Sequence, residues 1–190
     1  MYYEDCICGL TRRLPLCPVS DGLYIAAFNM LGDNALTIAA ARAAFDKVKN
    51  LDFDVIVTAE CKGIAFVQEL SRLLFEARGQ AFFVVARKSV KLYMTDPICA
   101  EVDSITTEGR QKLWLSKDEA GKLRGKRVII ADDVISTGNT VDALYELIRA
   151  ADAESVAAEL CVYAEGGAVN RKNIIYLKRL PLFDKDGKSV

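Results

Sequence analysis

The sequence predicts an α/β domain, a mainly parallel sheet of about five strands flanked by helices. Three observations point there. From about residue 34 onward, segments of strand character alternate with segments of helix character. The strand-like segments are short apolar runs without polar alternation, the pattern of parallel strands covered on both faces. No repeat, low-complexity tract or Ser/Gly/Pro linker divides the 190 residues, so a single domain over 1–190 with one large core is expected.

The elements follow in order. Residues 1–32 fit no strand–helix unit and are expected, with about 165–190, to form a small hood over one end of the sheet. Asp33 and Asn34 can cap a helix in which Leu36, Ala40, Ala44 and Val48 recur every fourth residue. Strand Val55–Val57 comes next. A second helix opens near Gly63, carries Ile64, Val67, Ser71 and Leu74 on one face, and stops at Gly79. Strand Phe82–Val85 leads into an excursion over 88–125, rich in charged and hydroxyl residues, with β-prone pieces at Lys91–Thr95 and Gln111–Ser116. It reads as a flexible loop of functional importance. Strand Val128–Ala131 is then followed, after a short gap, by a helix with Val141, Leu144, Tyr145 and Ile148 on one face. Val156–Tyr163 and Ile174–Leu177 complete the sheet.

Composition removes whole classes of function. The chain has 25 Lys+Arg against 26 Asp+Glu, a formal charge of −1, which gives no support to general nucleic-acid or anionic-lipid binding. Any anion must be held locally. The chain has 0 histidines, so Ser-His-Asp triads, Cys-His dyads, HExxH sites and Cys/His fingers are excluded. The longest stretch without a charged residue is only Gly22–Gly32, too short to span a membrane, and MYYEDCICGLTRR has no apolar signal core. A cytoplasmic location is the expectation. Cys6, Cys8, Cys17, Cys61, Cys99 and Cys161 read as free thiols; CxC plus Cys17 is short of a complete metal-ligand set.

Chemistry concentrates in Asp132-Asp133-Val134-Ile135-Ser136-Thr137-Gly138-Asn139-Thr140, between a strand and a helix. Ligands of open α/β sheets bind at carboxyl ends of strands. Backbone N–H groups of the Ser136–Thr140 turn, the helix dipole and the Ser136, Thr137 and Thr140 hydroxyls suit one phosphate. Asp132 and Asp133 are acceptors for a diol or, through water, for a divalent cation. A plain capped turn would use the same residue types. There is no GxGxxG, and Gly187-Lys188-Ser189 fails as a P-loop because Leu182 stands where the first glycine belongs.

Val128–Thr140 resembles the phosphoribosyl-pyrophosphate (PRPP) motif of type I phosphoribosyltransferases along its whole length. TAECKG (58–63) is similar to their pyrophosphate loop, and ARKSVKLYMTD (86–96) resembles the ARK segment of the adenine and xanthine enzymes. The resemblance covers about residues 20–183 and implies the type I phosphoribosyltransferase fold. It implies that Asp132 and Asp133 hold the ribose hydroxyls, and Mg²⁺ through water or PRPP, while Ser136, Thr137, Gly138, Asn139 and Thr140 hold the 5′-phosphate. Glu60, Cys61, Lys62 and Gly63 would meet the pyrophosphate around a strained or cis Glu60–Cys61 peptide, with Arg87, Lys88 and Lys91 adding cations. The catalytic work would fall to Asp132, Asp133, Lys62 and Lys88.

The resemblance further implies a Mg²⁺-dependent, cytoplasmic purine-salvage transferase, a homodimer, which takes PRPP and a purine base to a nucleoside 5′-monophosphate and pyrophosphate. The alternative is a regulator that binds PRPP without turnover. Specificity is mixed. Adenine enzymes carry Arg-Asp near Ala26 and Ala27; Ser104–Glu108 is nearer to the xanthine enzymes, which place a base-contacting lysine near Glu165. A carboxylate there favours an amino-bearing purine, adenine first. Phe28, in the apolar piece Leu23–Leu31, is either a stacking residue for that base or core.

Overall fold

The structure, a computed structural model, describes residues 1–80, 82–102 and 111–190. The chain opens with an antiparallel meander, β1 (Tyr2–Ile7), β2 (Leu10–Ser20) and β3 (Leu23–Ala26), followed by α1 (Asn34–Val48). Then come β4 (Val55–Ala59), α2 (Ile64–Arg78), β5 (Phe83–Ala86), the hairpin β6 (Ile98–Val102) and β7 (Gln111–Leu115), and a short α3 (Lys117–Gly121). The last part holds β8 (Arg127–Ile135), α4 (Asn139–Ala150), β9 (Ser155–Glu165), a 3₁₀ turn (Gly166–Asn170), β10 (Ile174–Leu180) and β11 (Leu182–Phe183).

Five of these strands form a parallel sheet in the order β10-β9-β8-β4-β5. Its period-2 side chains divide the core into two. Ile129 and Ala131 of β8 pack with Leu36, Ala40, Ala44 and Val48 of α1 and Phe66, Val67, Leu70 and Leu74 of α2. Val128 and Ile130 pack on the other face with Val141, Leu144, Leu147 and Ile148 of α4 and with Leu113 and Leu115 of the hairpin. Helix starts obey capping physics. Asp33 accepts from the Leu36 N–H at 3.0 Å while a guanidinium fork from Arg12 holds its carboxylate. Gly79 ends α2 at φ 72°, the left-handed turn that favours glycine.

The expected hood is a second sheet, β1-β2-β3-β11, so its strands come from both parts of the chain assigned to it. Asp5 of β1, 4% exposed, ties it to the main sheet, accepting from Tyr163 Oη of β9 at 2.6 Å and from Lys178 Nζ of β10 at 2.6 Å. Charge-assisted bonds of this kind hold Asp5 well ionised despite its burial.

Two expectations need correction. The strand expected to end at Ala131 runs on to Ile135, because Asp132, Val134 and Ile135 remain paired with Cys161, Tyr163 and Ala164 of β9. Lys91–Thr95 is not a strand; the partner of β7 is Ile98–Val102, too irregular in hydropathy to stand out. Within the excursion the described residues include this hairpin and α3, and the hairpin is anchored where Arg87 and Trp114 exchange two backbone bonds of 2.8 Å. Ser104–Glu108 lies outside the described residues.

Candidate active site

After β4 the chain adds β5 on one side; after β8 it adds β9 and β10 on the other. The crevice between the carboxyl ends of β4 and β8 is therefore the switch point of the sheet, where the connections diverge and leave room for a ligand. Four loops meet at this end: 60–63 after β4, 87–91 after β5, 136–138 after β8, and the 3₁₀ turn after β9.

Asp132 and Asp133 stand in the last turns of β8. Asp132 Oδ1 accepts the Asp133 N–H at 2.9 Å, and burial, with the neighbouring Asp133 charge, pushes its carboxyl up to about 8. Asp133 is 5% exposed, its Oδ2 is buried without a partner, and burial raises it as well. The positive charges of Lys88 and Lys62 act in the opposite sense, on Asp132 and Asp133 respectively. Asp133 thus keeps a buried acceptor oxygen without a partner, beside a second carboxyl. The pair fits a ribose diol and a divalent cation.

Gly63 leaves no room to spare. A Cβ on it would stand 2.6 Å from Asp132 Oδ1, 2.8 Å from Thr58 Oγ1 and 3.1 Å from Asp132 Cα. The preceding Glu60–Cys61 peptide is cis. Lys62 Nζ reaches the Phe28 carbonyl at 3.5 Å. Glu60 gathers the basic segment: Oε2 accepts the Lys88 N–H at 3.0 Å, Lys91 Nζ lies 3.5 Å away, and Arg87 Nη1 lies 3.6 Å from Oε1. That N–H bond and the two cations lower the Glu60 carboxyl, so it stays charged. Arg87 Nε is buried with no partner.

Beyond Asp132, residues Val134–Val141 line a small cavity of about 50 Å³ at the N-terminus of α4, where backbone N–H groups suit an anion. Gly138 caps that helix at φ 88°. A larger cavity, about 630 Å³, shares Ser136 and Thr137 with it and is otherwise walled by Val19, Ser20, Leu23, Ile25, Leu182, Gly166, Gly167 and Glu165. Its walls are mostly apolar. Glu165 is 6% exposed, and burial pushes its carboxyl up to about 7.

A phosphoribosyl transferase domain model matches residues 29–181, most of the chain. The chain belongs to the phosphoribosyl transferase family. Among its relatives, a hypoxanthine/guanine phosphoribosyltransferase of Methanotorris igneus is 33% identical over 91% of this chain and 86% of its own length. An adenine phosphoribosyltransferase of Saccharopolyspora erythraea is 35% identical over 79% of this chain and 75% of its own. The fold is shared with the adenine phosphoribosyltransferase of Saccharomyces cerevisiae (TM-score 0.68, 23% identity, 86% of this chain and 93% of that one). It is shared also with that of Thermoanaerobacter pseudethanolicus (TM-score 0.67, 21% identity, 88% and 95%).

In this family member the residues expected from the three motifs do meet at one crevice, with two differences of detail. Glu60 faces the cations of its own chain. Phe28 is core rather than a cavity wall: it is 4% exposed, and its ring meets Tyr163 edge-on at 4.8 Å. Sequence reasoning included Ile25 in the Leu23–Leu31 piece and Thr58 in TAECKG without giving either a role, and it did not single out the walls Val19 and Leu182 or the Gly166-Gly167 pair. Of the residues not singled out, the glycine pair, closing a strand-like run, carried a local signal.

Proposed function

We infer that the chain is a purine phosphoribosyltransferase, which moves the 5-phosphoribosyl group of PRPP to a purine base and releases the nucleoside 5′-monophosphate and pyrophosphate, a purine-salvage step. One observation carries this reading. The small cradle at the N-terminus of α4 and the larger, mostly apolar cavity share the Ser136–Thr137 wall, with the Asp132–Asp133 pair beside them. A ribose phosphate seated in the cradle can then present its sugar to both. The relatives' names support a purine as acceptor.

The chemistry needs no nucleophilic side chain. As the bond from C1′ to pyrophosphate breaks and the bond to the base nitrogen forms, charge develops on the leaving group and the sugar. Lys62, Lys88, Arg87 and Lys91 are the cations that would stabilise the pyrophosphate. Arg87 and Lys91 are held by Glu60 until a more highly charged anion takes them. Among the described residues no three metal-binding side chains converge, so Mg²⁺ would be shared between Asp132, Asp133 and ligand oxygens. When bound, it supplies charge neutralisation for the departing pyrophosphate. The hood excludes water from the base side of the reaction.

Adenine is the proposed base. Glu165 is the ionisable group in the wall of the apolar cavity, and its carboxylate accepts a hydrogen bond from an exocyclic amine. Since its carboxyl sits at about 7, rising pH through 7 should lower KM for adenine, whose amine needs the carboxylate. It should raise KM for hypoxanthine, whose carbonyl needs the protonated acid. Glu165→Gln is expected to flatten both profiles and to reduce the preference for adenine about 10-fold or more. Steady-state rates with PRPP, Mg²⁺ and adenine, hypoxanthine, guanine or xanthine test this. No turnover with any base would leave a PRPP-binding regulator, and a higher kcat/KM for an oxopurine would overturn the adenine assignment.

A homodimer and a cytoplasmic location complete the reading. Val90, Leu92 and Tyr93 are 49%, 110% and 65% exposed, an apolar cluster interleaved with Lys88 and Lys91, suited to cover by a second copy beside the site. Sedimentation at micromolar concentration should show a dimer, and Leu92→Asp a monomer; a monomer before substitution would overturn it. All six cysteines are unpaired, Cys6, Cys61 and Cys99 exposed, as a reducing compartment permits. No described helix is long and apolar enough to cross a membrane.

A further inference from the structure

Outside the three motifs, one cluster of charges abuts the phosphate cradle. Arg171, at the end of the 3₁₀ turn, grips Glu159 of β9 with Nε to Oε2 at 2.6 Å and Nη2 to Oε1 at 3.0 Å. Glu159 is 3% exposed and also accepts from Tyr145 Oη of α4 at 3.0 Å. Arg171 Nη2 donates in addition to Asp142 Oδ1 at 2.9 Å. The third nitrogen, Nη1, lies 2.5 Å from the point where a Cβ would stand on Gly138, and Asp142 Oδ2 lies 3.9 Å from that point. The guanidinium is therefore pressed against the glycine that opens α4, and an acidic side chain stands in the first turn of the same helix.

That arrangement poses an electrostatic problem. Asp142 suits the N-terminus of an otherwise empty helix, but the same N-terminus is the seat proposed for a phosphate dianion, and like charges so close repel. Glu159 adds a second carboxylate, and the neighbouring cavity of about 510 Å³ brings Glu146 and Lys172, whose charges offset each other. Arg171 is the cation bonded to both Asp142 and Glu159. We propose that Arg171 is a positioning residue for the 5′-phosphate: it neutralises Asp142 and Glu159 and buttresses Gly138, so that the cradle presents its N–H groups to the phosphate without an opposing field. This rests on the assignment of Ser136–Thr140 as the phosphate seat.

The probe is ribose 5-phosphate, titrated calorimetrically, with PRPP kinetics beside it. Arg171→Gln should weaken ribose 5-phosphate at least ~30-fold and raise KM for PRPP to match, with kcat and KM for the base little changed. Adding Asp142→Asn should restore affinity to within a few-fold, because the repelling charge is gone; a merely structural strut would not be rescued by removing its partner. Raising ionic strength should shrink the defect of the single variant. Unchanged affinity in Arg171→Gln, or a loss that Asp142→Asn does not repair, would overturn the inference. Failure of the unaltered protein to bind ribose 5-phosphate would instead overturn the phosphate seat itself, and the inference with it.

Discussion

Asp133→Asn is expected to give a protein that melts higher and scarcely turns over. The side chain is 5% exposed, its Oδ2 has no partner, and it sits beside a second carboxylate. An unpaired buried charge opposes folding, and the amide removes that charge while offering a donor to Asp132; relief of about 1 kcal/mol is in keeping with such groups. For a chain of this size that is a rise in Tm of roughly 2–4 °C. The same exchange removes an oxygen needed for the diol and the cation, and kcat/KM should fall about 10²–10³-fold. Calorimetry and PRPP kinetics on one preparation check both halves. An unimpaired kcat/KM would remove Asp133 from the site, and a lower Tm would mean that its carboxylate is satisfied in the fold.

Gly63→Ala should damage the same centre from the other side of the crevice. Gly63 has ordinary helical backbone angles, φ −68° and ψ −17°, so conformational freedom is not the issue. Space is. The new methyl would meet Asp132 Oδ1 at 2.6 Å and Thr58 Oγ1 at 2.8 Å. Turning Asp132 away would break its bond to the Asp133 N–H, and the Asp132 Cα at 3.1 Å cannot rotate away at all. The loop or the strand end must shift, costing ~1–3 kcal/mol of stability. A displacement approaching an ångström at a reacting centre costs about 10²-fold in rate. Thermal melting and kcat/KM measure the two effects; wild-type values for both would show that the crevice is looser than these distances allow.

How much of this could be read from the chain depends on whether the signal is local. Leu36, Ala40, Ala44 and Val48 repeat with the helical period, and all four are buried in α1. The Asp-Asp and Ser-Thr-Gly-Asn-Thr run carries its chemistry in adjacent residues, so its place at a strand end was legible. Its strand was drawn too short because aspartates read as loop, although pairing with β9 carries the backbone past them. The hood was harder. β2 holds Pro15 and Pro18, poor strand residues, and Pro18 is accommodated at a register shift against β3. Helix α3 had a signature in plain view, the capping box of Ser116 and Glu119, but only one turn of helix follows it. Arg171 had no local signal, since Glu159, Asp142 and Gly138 reach it from three separate elements.

The hood's construction also sets an order of assembly during synthesis. The walls of the base cavity include Val19, Leu23 and Ile25, made early, and Leu182, made after every strand of the main sheet. Leu182 pairs with Ile25, far back in the chain, after all the sequence between them has been made. The small cradle draws on a compact stretch between Asp132 and Val141, whose strand end needs only β9 beside it to be held in place. On a ribosome the lining of the small cradle is therefore complete before that of the larger cavity, and the meander of β1 to β3 waits, with one edge unpaired, until β11 emerges to cover it.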